Sequence, residues 1–133
     1  MLALPGASLP GAQVSVTITG LRSTEGQVLA CLTANPRTFP KCEKDPGAIA
    51  RIVPAKRDTN ITFGEVPGGE YAIALIHDEN ANGRLDTRLM VPREGFGFSR
   101  NAPARFGPPS FARAAFAVAG QDKHQTIRMR YIF

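Results

Sequence analysis

The segment His77-Asp78-Glu79-Asn80-Ala81-Asn82-Gly83-Arg84-Leu85-Asp86 places oxygen-bearing side chains at every second position, turns at a glycine and returns with another carboxylate. A hard cation such as calcium takes about six to eight oxygens at roughly 2.3–2.6 Å, and a loop spaced D-x-N-x-N-G-x-x-D can fold several of them inward. The expected ligands are the Asp78 carboxylate, the side-chain oxygens of Asn80 and Asn82, the backbone carbonyl of Arg84, and Asp86 directly or through water. An EF-hand would also need a bidentate Glu at its twelfth position, which here is Leu89, and a helix on either side. The loop is therefore not an EF-hand. Glu79 and Glu94 could replace the missing ligand, Glu94 being the better choice because a long loop could fold it back. With so few formal charges the affinity expected is weak, about 10⁻⁴ to 10⁻³ M, and the role structural. A metal-free alternative stays open: Asp and Asn cap their own backbones in Asx-turns, and Asn-Gly is a favoured hairpin turn.

Other chemistry is poorly represented. His77, Asp78 and Glu94 could serve as acid, base and orienter. However, there is no G-x-S-x-G elbow, no H-E-x-x-H pair and no cysteine beside an activating base. A histidine at a strand end is also well explained as a hydrogen-bonding structural residue. The chain carries a formal charge of +5. Between residues 84 and 113 it holds Arg84, Arg88, Arg93, Arg100, Arg105 and Arg113 against Asp86 and Glu94. Such a stretch attracts phosphate-rich partners or is simply a solvated face. No helix-turn-helix, RNA-recognition or zinc-finger pattern accompanies it, which argues against nucleic acid.

These residues must be held by extended backbone. Val14, Val16 and Ile18 alternate with Ser15, Thr17 and Thr19, the period of a half-buried strand. Gln27 to Thr33, Ile49 to Val53, Asn60 to Val66 and Tyr71 to His77 follow as strands. Pro67-Gly68-Gly69-Glu70 forms the tight turn into the last of these. Ala114, Phe116 and Val118, then Ile127, Met129 and Tyr131, supply two closing strands. About seven strands with Gly/Pro turns and no sustained helical period predict an all-β fold. The expected form is a single antiparallel β-sandwich with Greek-key connections, immunoglobulin-like or transthyretin-like in outline. One helical turn opened by Asp45-Pro46 is the sole exception expected.

Between Asp86 and Phe111 little strand pattern is visible. Loops this long are usually functional or packed down by their own side chains. Phe96, Phe98, Phe106 and Phe111 read as rings pinning the loop over one sandwich edge. The sharper reading makes Arg93, Phe96, Phe98, Arg100, Arg105 and Phe106 a ligand surface.

At 133 residues one domain is expected, residues 13–133, preceded by a flexible segment 1–12 that reads as a signal-peptide remnant. No apolar run approaches the roughly 20 residues needed to span a bilayer. Cys31 and Cys42 enclose a short segment rich in loop formers, and a disulfide there would add about 3 kcal/mol in an oxidising compartment.

Four stretches together resemble an uncharacterised family of exported bacterial proteins, a domain of unknown function: Gly68-Gly69-Glu70-Tyr71-Ala72, the His77 to Asp86 loop, Pro92 to Ser99, and Phe106-Gly107-Pro108-Pro109-Ser110-Phe111. The Cys31 and Cys42 pair resembles a subset of that family. The resemblance implies a secreted or periplasmic β-sandwich and no established activity; the strand pattern, the cysteine pair and the oxygen-rich loop lead to the expectation of a non-catalytic binding module whose partner is an unknown protein or envelope component. Where many relatives carry a glycine before the apolar-Pro step, this chain has Met90. The Pro-Gly-Gly-x-Tyr turn is similar, at the level of fold, to transthyretin-like and carboxypeptidase-regulatory-like modules. A transthyretin-like hydrolase would need a Tyr-Arg-Gly-Ser end, whereas this chain closes Arg128-Met129-Arg130-Tyr131-Ile132-Phe133.

Overall fold

The computed structural model describes residues 10–81, 87–88, 91–92, 94–105 and 107–132, with 87–88 and 91–92 described by backbone alone. The chain is nearly all β. Its strands are β1 (Ala12–Thr19), β2 (Gln27–Thr33), β3 (Ile49–Pro54), β4 (Thr59–Val66), β5 (Gly69–Asp78), β6 (Thr87–Arg88), β7 (Val91–Pro92), β8 (Gly95–Phe98), β9 (Phe116–Val118) and β10 (Lys123–Arg128). Eight of them form two sheets. One is ordered β10-β1-β4, and the other β3-β2-β5-β8 with β9 also on β5. β6 and β7 pair with each other.

Each of the seven expected strands has a counterpart, so the count is corrected by β8, which lies in the stretch expected to be irregular. Its sequence, Gly95-Phe96-Gly97-Phe98, lacks the β-branched residues that announce a strand. The glycines are required by close approach. A Cβ on Gly95 would stand 2.4 Å from the Tyr131 ring, and one on Gly97 would stand 2.9 Å from Ile127. Glycine thus faces the inside of the sheet and phenylalanine the outside, the reverse of a usual half-buried strand. A second correction concerns direction: β1 and β10 run parallel, from Val14↔Lys123 to Thr19↔Arg128, so the fold is not purely antiparallel. The turn expected at Asp45-Pro46 is instead a 3-10 turn over Cys42–Lys44, and a short helix, α1 (Phe111–Ala114), follows the long segment.

The inner faces of both sheets share one core. Val14, Val16 and Ile18 of β1, Ile61 and Phe63 of β4, and Ile127 meet Val28, Ala30, Leu32, Ile73 and Leu75 of the other sheet. Two seams close the edges. On one side Phe96 and Arg130 exchange backbone bonds of 3.0 and 2.8 Å. On the other, the Arg51 guanidinium on β3 donates to the Thr62 and Phe63 carbonyls of β4. A guanidinium capping strand carbonyls satisfies groups that would otherwise tempt a foreign strand.

β8 and β9 lie in line along the same edge of β5, separated by residues 99–115. Gly95 to Phe98 pair with His77 to Ala74, and Phe116 to Val118 with Tyr71 to Gly69. In the gap, the buried Ser99 accepts from Ile73 N–H at 2.9 Å and donates to the Ala114 carbonyl at 2.5 Å. Its hydroxyl therefore replaces a missing rung of the ladder.

The outer face of this sheet carries a second apolar cluster of Cys31, Ala72, Ala74, Phe96, Phe98, Ala102 and Ala114. Two segments cover it. The first is closed by the Cys31–Cys42 disulfide, with Cα atoms 5.6 Å apart, and the second is the excursion 99–115. Phe39 from the first meets Phe98 and Phe111 edge-on, each at 6.0 Å between centroids. Asp45 organises the disulfide segment by accepting from the Thr33 and Thr38 hydroxyls and from Gly47 N–H. The Thr33 bond, chiefly, holds its carboxyl below the usual range.

Candidate functional site: the carboxylate rim of the five-stranded sheet

The rim forms where β5 ends. Strand alternation turns His77 toward the core and Asp78 toward the outer face. Both are fully buried. The ladder register ends at His77↔Gly95, which makes Glu94 the residue opposite Asp78 on the same face. Glu94 is also buried, and its Oε2 accepts from Glu79 N–H at 2.6 Å and Asn80 N–H at 3.4 Å. The Asp78 Oδ2 accepts from the Gln27 amide at 3.1 Å. Glu94 thus reaches back to the first turn of the Asp/Asn loop, while the Asp78 carbonyl accepts from Ala81 N–H at 3.2 Å. The β1–β2 turn packs against this corner so tightly that a Cβ on Gly26 would lie 2.1 Å from the Asp78 carbonyl oxygen.

Glu79 is committed elsewhere. Arg22 Nε donates to its Oε1 at 3.0 Å and the Ser23 hydroxyl to its Oε2 at 2.8 Å. The Arg22 hydrogen bond, followed by that of Ser23, lowers the Glu79 carboxyl from its ordinary value, and the same pair raises Arg22. The Arg22 guanidinium also stacks 4.4 Å from the Tyr131 ring centroid, a cation–π contact. Burial pushes the Tyr131 hydroxyl up.

The His77 network can be oriented from its partners. Its Nε2 lies 2.8 Å from the Glu25 carbonyl, which only accepts, so Nε2 carries the proton. In the neutral ring Nδ1 then accepts from the Tyr131 hydroxyl at 2.7 Å, and that oxygen accepts Arg22 N–H at 3.1 Å. With both nitrogens engaged, His77 ties the rim to the core and offers no lone pair to an ion.

Of the loop oxygens expected as ligands, Asp78, Asn80 and Glu94 are therefore on or beside this rim, with the Asn80 side chain exposed. Asn82, Arg84 and Asp86 lie outside the described residues, as do Arg93 and Phe106. Among the described residues no group of three His, Cys, Asp or Glu side chains converges as metal ligands would. The other proposed surface divides: Phe96 and Phe98 are buried beneath the covering segments, whereas Arg100 and Arg105 are exposed. Gln27, Ser23 and Tyr131 are rim residues that sequence reasoning missed. Their contacts depend on strand register and on the C-terminal seam, and no local pattern announces either.

A family model described as an uncharacterized protein conserved in bacteria, DUF2141, matches residues 16–127. The chain belongs to the DUF2141 family. The match runs from within β1 to within β10, so it takes in the rim, the disulfide and the excursion. No curated protein and no solved structure matches this DUF2141 chain. No described helix is long and apolar enough to cross a membrane.

Proposed function

We propose that this DUF2141 chain is a non-catalytic β-sandwich binding module of the periplasm or cell exterior, whose Asp/Asn loop is a structural calcium site. The observation that carries the ion reading is the return of Glu94 to the amides of Glu79 and Asn80. It places a second buried carboxylate across the ladder from Asp78 at the root of the loop. Like charges directly opposite each other repel, and a hard divalent cation shared with loop oxygens would offset that repulsion. Oxygen donors of this kind suit calcium. Asp78 and Glu94 would hold it together with Asn80 and the loop residues Asn82, Arg84 and Asp86. Glu79, neutralised by Arg22, stays out.

The location rests on the Cys31–Cys42 bond, since such bonds persist in oxidising compartments. Isothermal titration with calcium and with magnesium tests the ion reading. Saturable heat with calcium, abolished in Glu94→Gln and in Asp78→Asn, is expected. Absence of calcium heat in the folded wild-type protein would refute it.

A further inference from the structure

The outer face of the three-stranded sheet is a separate surface with its own chemistry. Along β10 and its continuation, His124, Thr126, Arg128 and Arg130 alternate outward and are all exposed. Beside them on β1 stand Ser15, Thr17 and Thr19, whose Cα partners are His124, Thr126 and Arg128. Two features make this more than a solvated face.

The first is a fixed direction of hydrogen bonding. The Asn60 amide nitrogen donates to the Asp58 carbonyl at 3.0 Å, which turns its oxygen toward the Thr17 hydroxyl at 2.6 Å. Thr17 spends its proton there and so accepts from His124 Nε2 at 2.7 Å. In the neutral ring His124 Nδ1 is then the acceptor, and Ser15 donates to it at 2.7 Å. The hydroxyls and the imidazole are held in one arrangement before any ligand arrives, which lowers the ordering cost of binding.

The second is unpaired positive charge at one end. Among the described residues neither Arg128 nor Arg130 has an ion-pair partner, and both line a shallow recess with Asn101 over Phe96. Asn101 is locked in place. Its carbonyl oxygen accepts Arg128 N–H at 2.9 Å and its amide reaches the Thr126 carbonyl at 3.5 Å, so the side chain continues the sheet edge. Arg100 and Asn101 both take left-handed backbone, φ 59° and 50°, a conformation retained only where surroundings enforce it. The carboxylates Asp122 and Glu65 sit at the far end, beside Gln13, while Asp58 precedes Thr59, the partner of Ile18, and lies on the β4 side of the arginine end.

We propose that this face docks an extended anionic glycan. Guanidinium groups recognise carboxylates in planar, charge-assisted pairs, and the ordered hydroxyl–imidazole row matches the hydroxyls of neighbouring sugar units. Straight alternation along β10, with Arg128 and Arg130 about 7 Å apart, suits a linear polymer. Among the described residues this face exposes no Phe, Tyr or Trp ring, and the His124 imidazole is engaged by Ser15 and Thr17, so it lacks the stacking platform that single-stranded nucleic acid uses. Among the described residues Ile132 is the lone large apolar side chain exposed nearby, too little to anchor in a membrane.

The proposal is independent of calcium and is tested by affinity for an oligogalacturonate at low salt. Arg128→Gln/Arg130→Gln should weaken binding about tenfold or more. Lys56→Gln/Arg57→Gln, which removes equal charge at the opposite seam, should change it less than about twofold. Thr17→Val should weaken oligogalacturonate binding while sparing any affinity for polyphosphate. No oligogalacturonate binding, equal losses in the two charge variants, indifference to Thr17→Val, or tighter binding to phosphatidylglycerol vesicles would each overturn the assignment.

Discussion

The outer face of the five-stranded sheet is closed in two different ways. Toward the Thr33 end of β2, a disulfide and three interlocked rings, Phe39, Phe98 and Phe111, cover alanines and a cysteine. Toward the Gln27 end, Asp78 and Glu94 are buried among amides, with Glu79 held by Arg22 at the corner. Apolar burial stabilises without a partner. Buried charge does so only when something compensates it. The first end should therefore answer to cavities and reduction, and the second to ions and pH.

The widest separation between the two ends is expected from Phe98→Ala, which removes the ring shared by strand and cover. It should cost about 3–5 kcal/mol by chemical denaturation and leave any calcium response of the remaining folded protein unchanged. Reducing Cys31–Cys42, or replacing both by alanine, should cost about 3 kcal/mol. A loss well below 1 kcal/mol would mean that the rings alone hold the cover.

Ser99→Ala sharpens the comparison from between the two ends. It strips Ile73 N–H and the Ala114 carbonyl of their shared partner and should cost about 1–3 kcal/mol, while Ser99→Thr tests whether the hydroxyl alone suffices.

The smallest effect belongs to Glu79→Gln, about 0.2–1 kcal/mol, because the ion pair with Arg22 is partly exposed. Its sign with pH is fixed. The Glu79 carboxyl titrates below its ordinary 4.5 in the folded protein, so its contribution is complete above that value and fades as pH falls through the lowered one. Wild type and Glu79→Gln should differ at pH 7 and converge in acid. A gap that widened on acidification would contradict the pairing.

Why some of this could be read from residue order and some could not follows from where the determining contacts lie. Alternation in Val14-Ser15-Val16-Thr17-Ile18 and in Asn60 to Val66 reports burial on one side, so those strands declare themselves. β8 does not. Its glycines answer to Ile127 and Tyr131, residues about thirty positions away in the chain, and its phenylalanines face a cover supplied by Phe39 and Phe111. The parallel partnership of β1 with β10 is likewise invisible to local pattern. At the rim, the loop motif draws attention to Asp78 and to Glu94 as a residue that folds back, and both lie buried there, but the partners that engage Glu79, Arg22 and Ser23, come from the β1–β2 turn and have no local signal. The burial of Phe96 and Phe98, expected as rings of a ligand surface, is hidden for the same reason: the second layer over the sheet is a tertiary fact.

Thermal melting of wild type and Glu94→Gln, each with calcium at about ten times the dissociation constant and with excess chelator, tests the rim most directly. Calcium should stabilise the wild type by about 1.4 kcal/mol, a shift of a few degrees, and leave Glu94→Gln unmoved. Superimposable wild-type curves, or an equal shift in the variant, would contradict a cation held at the root of the loop.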